Sequence, residues 1–147
     1  MDPKTAARAA FDRAEADLVA LSHRIHAHPE VKWEEEQACA WLGEALTGYG
    51  FSVAAGICQL PTAFEARAGS GPLHVVICAE YDALPSIGHA CGHNVIAATA
   101  VGAGLALAAV ADDLGSSAST PPTLSPSPVS PSACCASTST QTTGSTG

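Results

Sequence analysis

An uncharged, β-rich run of seven residues at positions 73–79 sets the strongest limit on the fold of this 147-residue chain. The run follows a glycine-rich turn and lacks the polar–apolar alternation of a half-exposed strand. An unbroken run of this kind is typical of a strand that is covered on both faces, as in a sheet between two layers of helices. We therefore expect an α/β fold.

Hydrophobic spacing predicts two helices and two short strands before this run. Apolar residues at steps of three and four predict a helix over residues 5–28, which Pro29 ends, and a second helix over residues 34–49. Residues 51–55 have the pattern of a short strand, and the alternation over residues 63–68 predicts a half-exposed one. The predicted sheet has three strands, with helices on both faces.

The segment from residue 83 to residue 111 contains no Asp, Glu, Lys or Arg, so a membrane span has to be weighed against a buried helix. Its apolar part, residues 95–111, is at the short limit of the about 20 residues that cross a bilayer. It is rich in Ala and Gly, lacks flanking cations and runs into Asp112 and Asp113. We prefer a buried helix that presses a small-residue face onto the sheet, and a membrane-anchored segment is the alternative.

The character of the sequence changes near Gly115. Of the 32 residues from 116 to 147, 22 are Ser, Thr or Pro, and none is charged. Such a composition buries too little apolar surface to offset the entropy of ordering. We predict a globular portion over residues 1–115 and a disordered Ser/Thr/Pro-rich tail over residues 116–147. One hypothesis for the tail is a shifted reading frame near residue 115.

The net charge and the cysteines limit the partners and the compartment. Six Lys and Arg against fourteen Asp and Glu give a net charge of −8, which disfavours binding to nucleic acid and to anionic membrane surfaces. The N-terminal residues contain no apolar secretory signal. The six cysteines are irregularly spaced, so we expect reduced thiols in the cytoplasm.

A polar loop follows the predicted buried strand, at the sheet edge where α/β folds bind ligands. Within fourteen residues it holds two carboxylates, two histidines and a cysteine, namely Glu80, Asp82, His89, Cys91 and His93. Thiolate and imidazole are ligands for Zn²⁺ and similar divalent metals, and Asn94 is expected to cap the next helix. A single Cys-x-His pair is more often structural than metal-binding, so the residues alone leave both interpretations open.

Several segments, in their order and spacing, resemble the N-terminal part of the aminoacylase/carboxypeptidase metallopeptidases (peptidase family M twenty). Within that family they are most similar to the amidohydrolase branch, which cleaves N-acyl amino acids and small dipeptides. The resemblance extends to about residue 115 and rests on Arg24-Ile25-His26-Ala27-His28-Pro29-Glu30, Ala79-Glu80-Tyr81-Asp82-Ala83-Leu84-Pro85 and Gly88-His89-Ala90-Cys91-Gly92-His93-Asn94. It implies the N-terminal portion of a three-layer α/β/α domain of the zinc-exopeptidase type.

The resemblance also implies residue roles. Cys91 and His93 would be ligands of a divalent metal, with zinc expected first and manganese or cobalt as alternatives. Asp82 would lie beside the metal and position a ligand, as outer carboxylates do. Glu80 stands where other branches carry a metal-binding histidine, and its role is left open. The implied substrate is a small N-acyl amino acid or dipeptide, and the implied reaction is metal-assisted hydrolysis.

Some of the family's machinery has no counterpart in these 147 residues. In the family, an adjacent glutamate pair and further histidine ligands follow the helix, and a dimerisation domain comes later, whereas here no glutamate follows Glu80. We therefore expect this chain to bind metal weakly and to hydrolyse nothing by itself. Two functions stay open: the metal-binding part of an amide hydrolase that is active in a longer form, or a non-catalytic remnant or small metal-binding module.

Overall fold

The computed structural model describes residues 2–70 and 73–111, and these contain three α-helices and one two-stranded antiparallel sheet. The elements are α1 (Pro3–Ala27), α2 (Glu36–Gly48), β1 (Ser52–Ala55), β2 (Phe64–Arg67) and α3 (His93–Ala108), with a 3-10 turn at Ile57–Gln59. This mixture of helices and sheet confirms the α/β class. The predicted tail lies outside the described residues, so the division at residue 115 stays a prediction.

Helix α1 begins and ends where its local sequence dictates. Proline occupies its first turn, where no backbone donor is needed, and the side chain of Asp2 accepts a hydrogen bond from the Thr5 amide at 3.2 Å. The helix stops just before Pro29, as predicted. Its apolar stripe faces inward and buries Ala14, Leu18, Leu21 and Ile25.

Helix α2 is capped by a carboxylate that comes from the preceding loop. The two oxygens of Glu30 accept hydrogen bonds from the amides of Gln37, at 3.0 Å, and Ala38, at 2.9 Å. A carboxylate at this end satisfies free amide donors and is stabilised by the helix dipole. The loop before α2 is thereby tied to the helix that follows it.

Strands β1 and β2 form a hairpin, in which Ser52 lies opposite Arg67 and Ala55 lies opposite Phe64. The alternating burial of β2 agrees with the half-exposed strand predicted for residues 63–68. The hairpin packs on α2, and both Val53 and Phe64 extend the core formed by the helices.

Helix α3 packs mainly on α1, whereas the sequence predicted that it would press onto a sheet. Gly102 makes the close approach possible, because a Cβ atom there would lie 2.6 Å from the Phe11 ring and 2.9 Å from Leu18. The small-residue face was therefore predicted correctly, but its partner is a helix. Within residues 2–70 and 73–111, no helix has the length and apolar character to cross a membrane.

The prediction of a buried strand at residues 73–79 is wrong in this structure. Residues 73–80 form neither a strand nor a helix, and the side chains of Leu73, Val75 and Val76 are exposed. A doubly covered strand needs neighbouring strands and two layers of helices. The two strands among the described residues pair only with each other, so this run has no sheet to enter.

The cysteines differ in state. Cys39 is a buried free thiol, while Cys78 and Cys91 are exposed free thiols. Cys58 is disulfide-bonded, so the expectation of reduced thiols is wrong at this position. Spacing along the sequence does not determine which sulfur atoms a fold brings within bonding distance.

Candidate functional site

The loop that carries the predicted site is fixed to the loop before α2. The Ala83 amide donates a hydrogen bond of 2.7 Å to the Glu30 carbonyl, and residues Val31 and Ala83 form a parallel bridge. Two hydrogen bonds between the backbones of Leu84 and Gly88, of 2.9 and 3.1 Å, then close a tight turn. These contacts fix residues 83–88 beside the loop before α2.

His93 is the first residue of α3 and contacts both loop carboxylates. Gly92, at φ +77°, turns the chain into the helix. The Nδ1 atom of His93 lies 2.7 Å from Asp82 Oδ1 and 3.0 Å from the Asp82 carbonyl. Its Nε2 atom lies 3.3 Å from Glu80 Oε2. Glu80 and Asp82 reach the same ring because alternate residues of an extended segment face the same side.

This arrangement gives the two carboxylates different roles. Asp82 Oδ1 is placed to accept a proton from His93 Nδ1, and in that tautomer the Nε2 lone pair lies on the side of Glu80. Ligand bonds of about 2.0–2.2 Å at tetrahedral angles place two ligand atoms about 3.4 Å apart. The 3.3 Å between Nε2 and the Glu80 oxygen is close to that spacing and is also that of a direct ion pair with a protonated ring, so the distance is compatible with a shared divalent cation.

The donors with this spacing are two, His93 Nε2 and Glu80 Oε2. Among residues 2–70 and 73–111, no group of three or more His, Cys, Asp or Glu side chains is arranged to hold a metal ion. The two carboxylates contact opposite nitrogens of His93 and so do not converge on one point. Cys91 lies exposed in the turn before α3. The structure thus brings Asp82 and His93 together, and the ligand role of Cys91 stays a prediction.

His89 is a feature of the site to which sequence reasoning gave no role. Its side chain is only 7% exposed, and neither ring nitrogen has a hydrogen bond of normal geometry to any residue that the structure describes. Burial lowers the pKa of His89, and the neighbouring His26, whose ring centroid lies 6.1 Å away, lowers it further. The Ile25 backbone offsets part of this lowering. Its signal in the sequence was its place in the polar loop, four residues before the start of α3.

A buried polar chain lies on the other side of the loop. The Thr62 hydroxyl donates to the buried Glu35 carboxylate at 2.8 Å, and the Tyr81 hydroxyl donates to the Thr62 carbonyl. The Tyr81 ring stacks on Phe64 at 5.9 Å. An open cavity of about 410 Å³ borders Cys39 and Thr62 but none of the three predicted site residues. No local pattern in the sequence indicated this chain of contacts.

Asn94 does not cap α3 as expected. It lies inside the helix, and its buried Nδ2 atom donates to the Ser22 hydroxyl at 3.0 Å and to the Ser22 carbonyl at 3.3 Å. The helix begins earlier because Gly92 adopts the left-handed conformation that turns the chain. Asn94 therefore joins α3 to α1 and fixes the end of α3 that presents His93.

Comparison with known proteins gives several relatives, although no model of a known protein family matches the chain. The chain is 44% identical to human Xaa-Arg dipeptidase over 110 residues, which is 66% of this chain and 25% of that protein. It is 31% identical to a component of the Escherichia coli p-aminobenzoyl-glutamate hydrolase, over 65% of this chain and 24% of that protein. It is 29% identical to a Geobacillus stearothermophilus N-acyl-L-amino acid amidohydrolase, over 70% of this chain and 32% of that protein. The chain thus spans a quarter to a third of the length of these relatives.

Proposed function

Because the chain belongs to the aminoacylase/carboxypeptidase family of amide-bond hydrolases, we propose that its loop before α3 forms part of a divalent-metal site for hydrolysis of dipeptides or N-acyl amino acids. The observation that carries the proposal is the position of His93 between the carboxylates of Asp82 and Glu80. A histidine oriented by a carboxylate on one nitrogen is the usual form of a histidine ligand.

Each residue has a separate part in this proposal. His93 and Cys91 hold the cation, and Asp82 orients the His93 ring. Glu80 provides a further carboxylate oxygen, 3.3 Å from His93 Nε2. The cation, with zinc expected first and manganese or cobalt as alternatives, supplies a water of lowered pKa and polarises the scissile carbonyl when it is bound. The fixed N-terminus of α3 keeps the imidazole in place.

The substrate class rests on the relatives. The names of the three relatives specify a dipeptide, a p-aminobenzoyl-glutamate and an N-acyl amino acid. These molecules share an amide bond to an amino acid. We therefore propose small amides as the substrate class of this chain's lineage. The net charge of −8 disfavours a polyanionic substrate.

Cobalt binding tests the metal site. We expect Co²⁺ added to the pure chain to give a thiolate-to-cobalt charge-transfer band, because Cys91 is an exposed free thiol two residues from His93. Cys91→Ala should abolish this band, and Cys78→Ala, which removes another exposed free thiol, should preserve it. A wild-type chain without the band, or an unchanged band in Cys91→Ala, would show that the proposed ligand set is wrong.

A second candidate function is a metal-binding module without catalysis. The observation that favours it is that the carboxylates of Glu80 and Asp82 both contact the His93 ring, whereas hydrolysis needs a base that takes the proton of the water. The pure chain loaded with Zn²⁺ should then cleave neither a dipeptide nor an N-acyl amino acid above the rate of Zn²⁺ alone. Cleavage that disappears in His93→Ala would exclude this second candidate.

A further inference from the structure

The segment that carries the two carboxylates is held from its opposite side. Glu80 and Asp82 contact the His93 ring, and the residue between them, Tyr81, points the other way. Its hydroxyl donates to the Thr62 carbonyl in the loop before β2. This is the alternation of an extended backbone, in which neighbouring side chains take opposite faces.

The partner of Tyr81 is itself fixed. Thr62 is buried, and its hydroxyl donates to the buried carboxylate of Glu35 at 2.8 Å. Burial, together with the nearby Cys39 and Glu35, raises the pKa of Tyr81 well above its usual range, so the hydroxyl keeps its proton and remains a donor. The Tyr81 ring also stacks on Phe64 of β2. The anchor therefore combines a hydrogen bond with an apolar contact.

A second anchor lies two residues further along the chain. The Ala83 amide donates to the Glu30 carbonyl at 2.7 Å, and the Glu30 side chain caps α2. Asp82 thus stands between two fixed points, one at Tyr81 and one at Ala83. With its backbone fixed on both sides, its carboxylate is held at 2.7 Å from His93 Nδ1. Functional groups need such support, because errors of about 0.5 Å already matter.

We propose that Tyr81 is a positioning residue, whose hydroxyl bond to the Thr62 carbonyl fixes the backbone of Glu80 and Asp82 and so sets how these carboxylates meet His93. The proposal rests on the metal site proposed above. Tyr81 faces away from the His93 ring, and it acts through Asp82.

Tyr81→Phe tests this role, because it removes the hydroxyl and keeps the ring on Phe64. Its matched control is Tyr49→Phe, which removes a hydroxyl that donates to Asp17 at 2.8 Å, far along the chain from the site. We expect Tyr81→Phe to raise the dissociation constant for Co²⁺ about 10-fold, in the range measured for lost outer contacts of metal ligands. Tyr49→Phe should leave it within about 2-fold of wild type, by the same scale.

A double-mutant cycle separates positioning from a general structural effect. If Tyr81 acts through Asp82, Tyr81→Phe should raise the dissociation constant for Co²⁺ in the wild-type chain. In the Asp82→Asn chain, the same substitution should raise this constant little further. Equal losses in both backgrounds would overturn the proposal. So would an effect of Tyr81→Phe no larger than that of Tyr49→Phe.

Amide hydrogen exchange gives a reading that needs no metal. The Ala83 amide lies next to the anchored segment and bonds to Glu30, so Tyr81→Phe should speed its exchange about 10-fold or more, while Tyr49→Phe should not. If wild type fails to bind Co²⁺ but the exchange changes as expected, the proposed metal site fails and the anchoring role of Tyr81 stands. If exchange at Ala83 is the same in both variants, the positioning role is wrong.

Discussion

At the scale of single residues, the contact between Asp82 and His93 is the one that most needs a test. Asp82→Asn keeps the size of the side chain but removes the charge that accepts from Nδ1 at 2.7 Å. We expect the dissociation constant for Co²⁺ to rise about 10- to 100-fold, because outer carboxylates orient ligating histidines. The control Asp12→Asn changes an exposed carboxylate in α1 and should have no effect. Equal affinities for Asp82→Asn and wild type would remove Asp82 from the site.

The buried bond between Thr62 and Glu35 should matter for stability. Thr62→Val keeps the shape of the side chain and leaves the buried Glu35 oxygen without its donor. We expect the free energy of unfolding, measured by urea denaturation, to fall by about 1–3 kcal/mol. Thr5→Val removes an exposed hydroxyl and should cost less than about 0.5 kcal/mol. Similar losses in both variants would show that burial of Glu35 does not increase the contribution of this bond to the free energy of unfolding.

The buried ring of His89 predicts a pH dependence of stability. Burial lowers the pKa of His89 in the folded chain, whereas an unfolded histidine titrates near about 6.5. Below about pH 6.5 the unfolded state therefore binds more protons than the folded state, and stability falls as the pH falls through the lower, folded pKa. With a chelator present, denaturation series in His89→Gln should lose this part of the pH slope, and His74→Gln should retain it. An unchanged slope in His89→Gln would contradict the prediction.

At the scale of elements, the packing of α3 on α1 depends on a glycine. A methyl group at Gly102 would lie 2.6 Å from the Phe11 ring and 2.9 Å from Leu18, so in Gly102→Ala these side chains must move out of their packed positions. We expect a loss of about 1–3 kcal/mol in the free energy of unfolding. In the same helix, a methyl group at Gly104 meets Phe51 at an ordinary 3.5 Å. Gly104→Ala should gain up to about 1 kcal/mol from helix propensity, and thermal melts of both variants would show the opposite signs.

The elements also show what a sequence pattern can and cannot predict. Helices α1 and α2 and both strands follow from local spacing, and the structure places them within about two residues of the predicted bounds. The prediction for residues 73–79 was wrong, because an apolar pattern indicates a covered strand but does not show whether a neighbouring strand is present to pair with it. The anchor at Tyr81 was missed for a related reason. Its partner lies 19 positions away, and side chains that meet only after folding leave no local signal.

At the scale of the whole molecule, the apolar side chains divide between a helical core and an uncovered segment. Leu18, Ile25 and Leu42 lie in the core formed by the helices, while the extended residues 73–79 expose Val75 and Val76 without a strand partner among the described residues. An extended apolar segment with free backbone groups is a template for pairing with another chain. We therefore expect the chain to self-associate with rising concentration and to have low stability.

Val76→Lys tests this expectation, because Val76 is 82% exposed and its replacement costs the fold little. If association buries this side chain, its loss removes about 1.5 kcal/mol, which raises the dissociation constant of the associated form about tenfold. Val19→Lys is the control, since Val19 is 50% exposed on a helix that already satisfies its backbone bonds. Sedimentation velocity over a concentration series should show weaker association in Val76→Lys only. A wild-type chain that stays monomeric and melts cooperatively at high temperature would show that the exposed segment needs no partner.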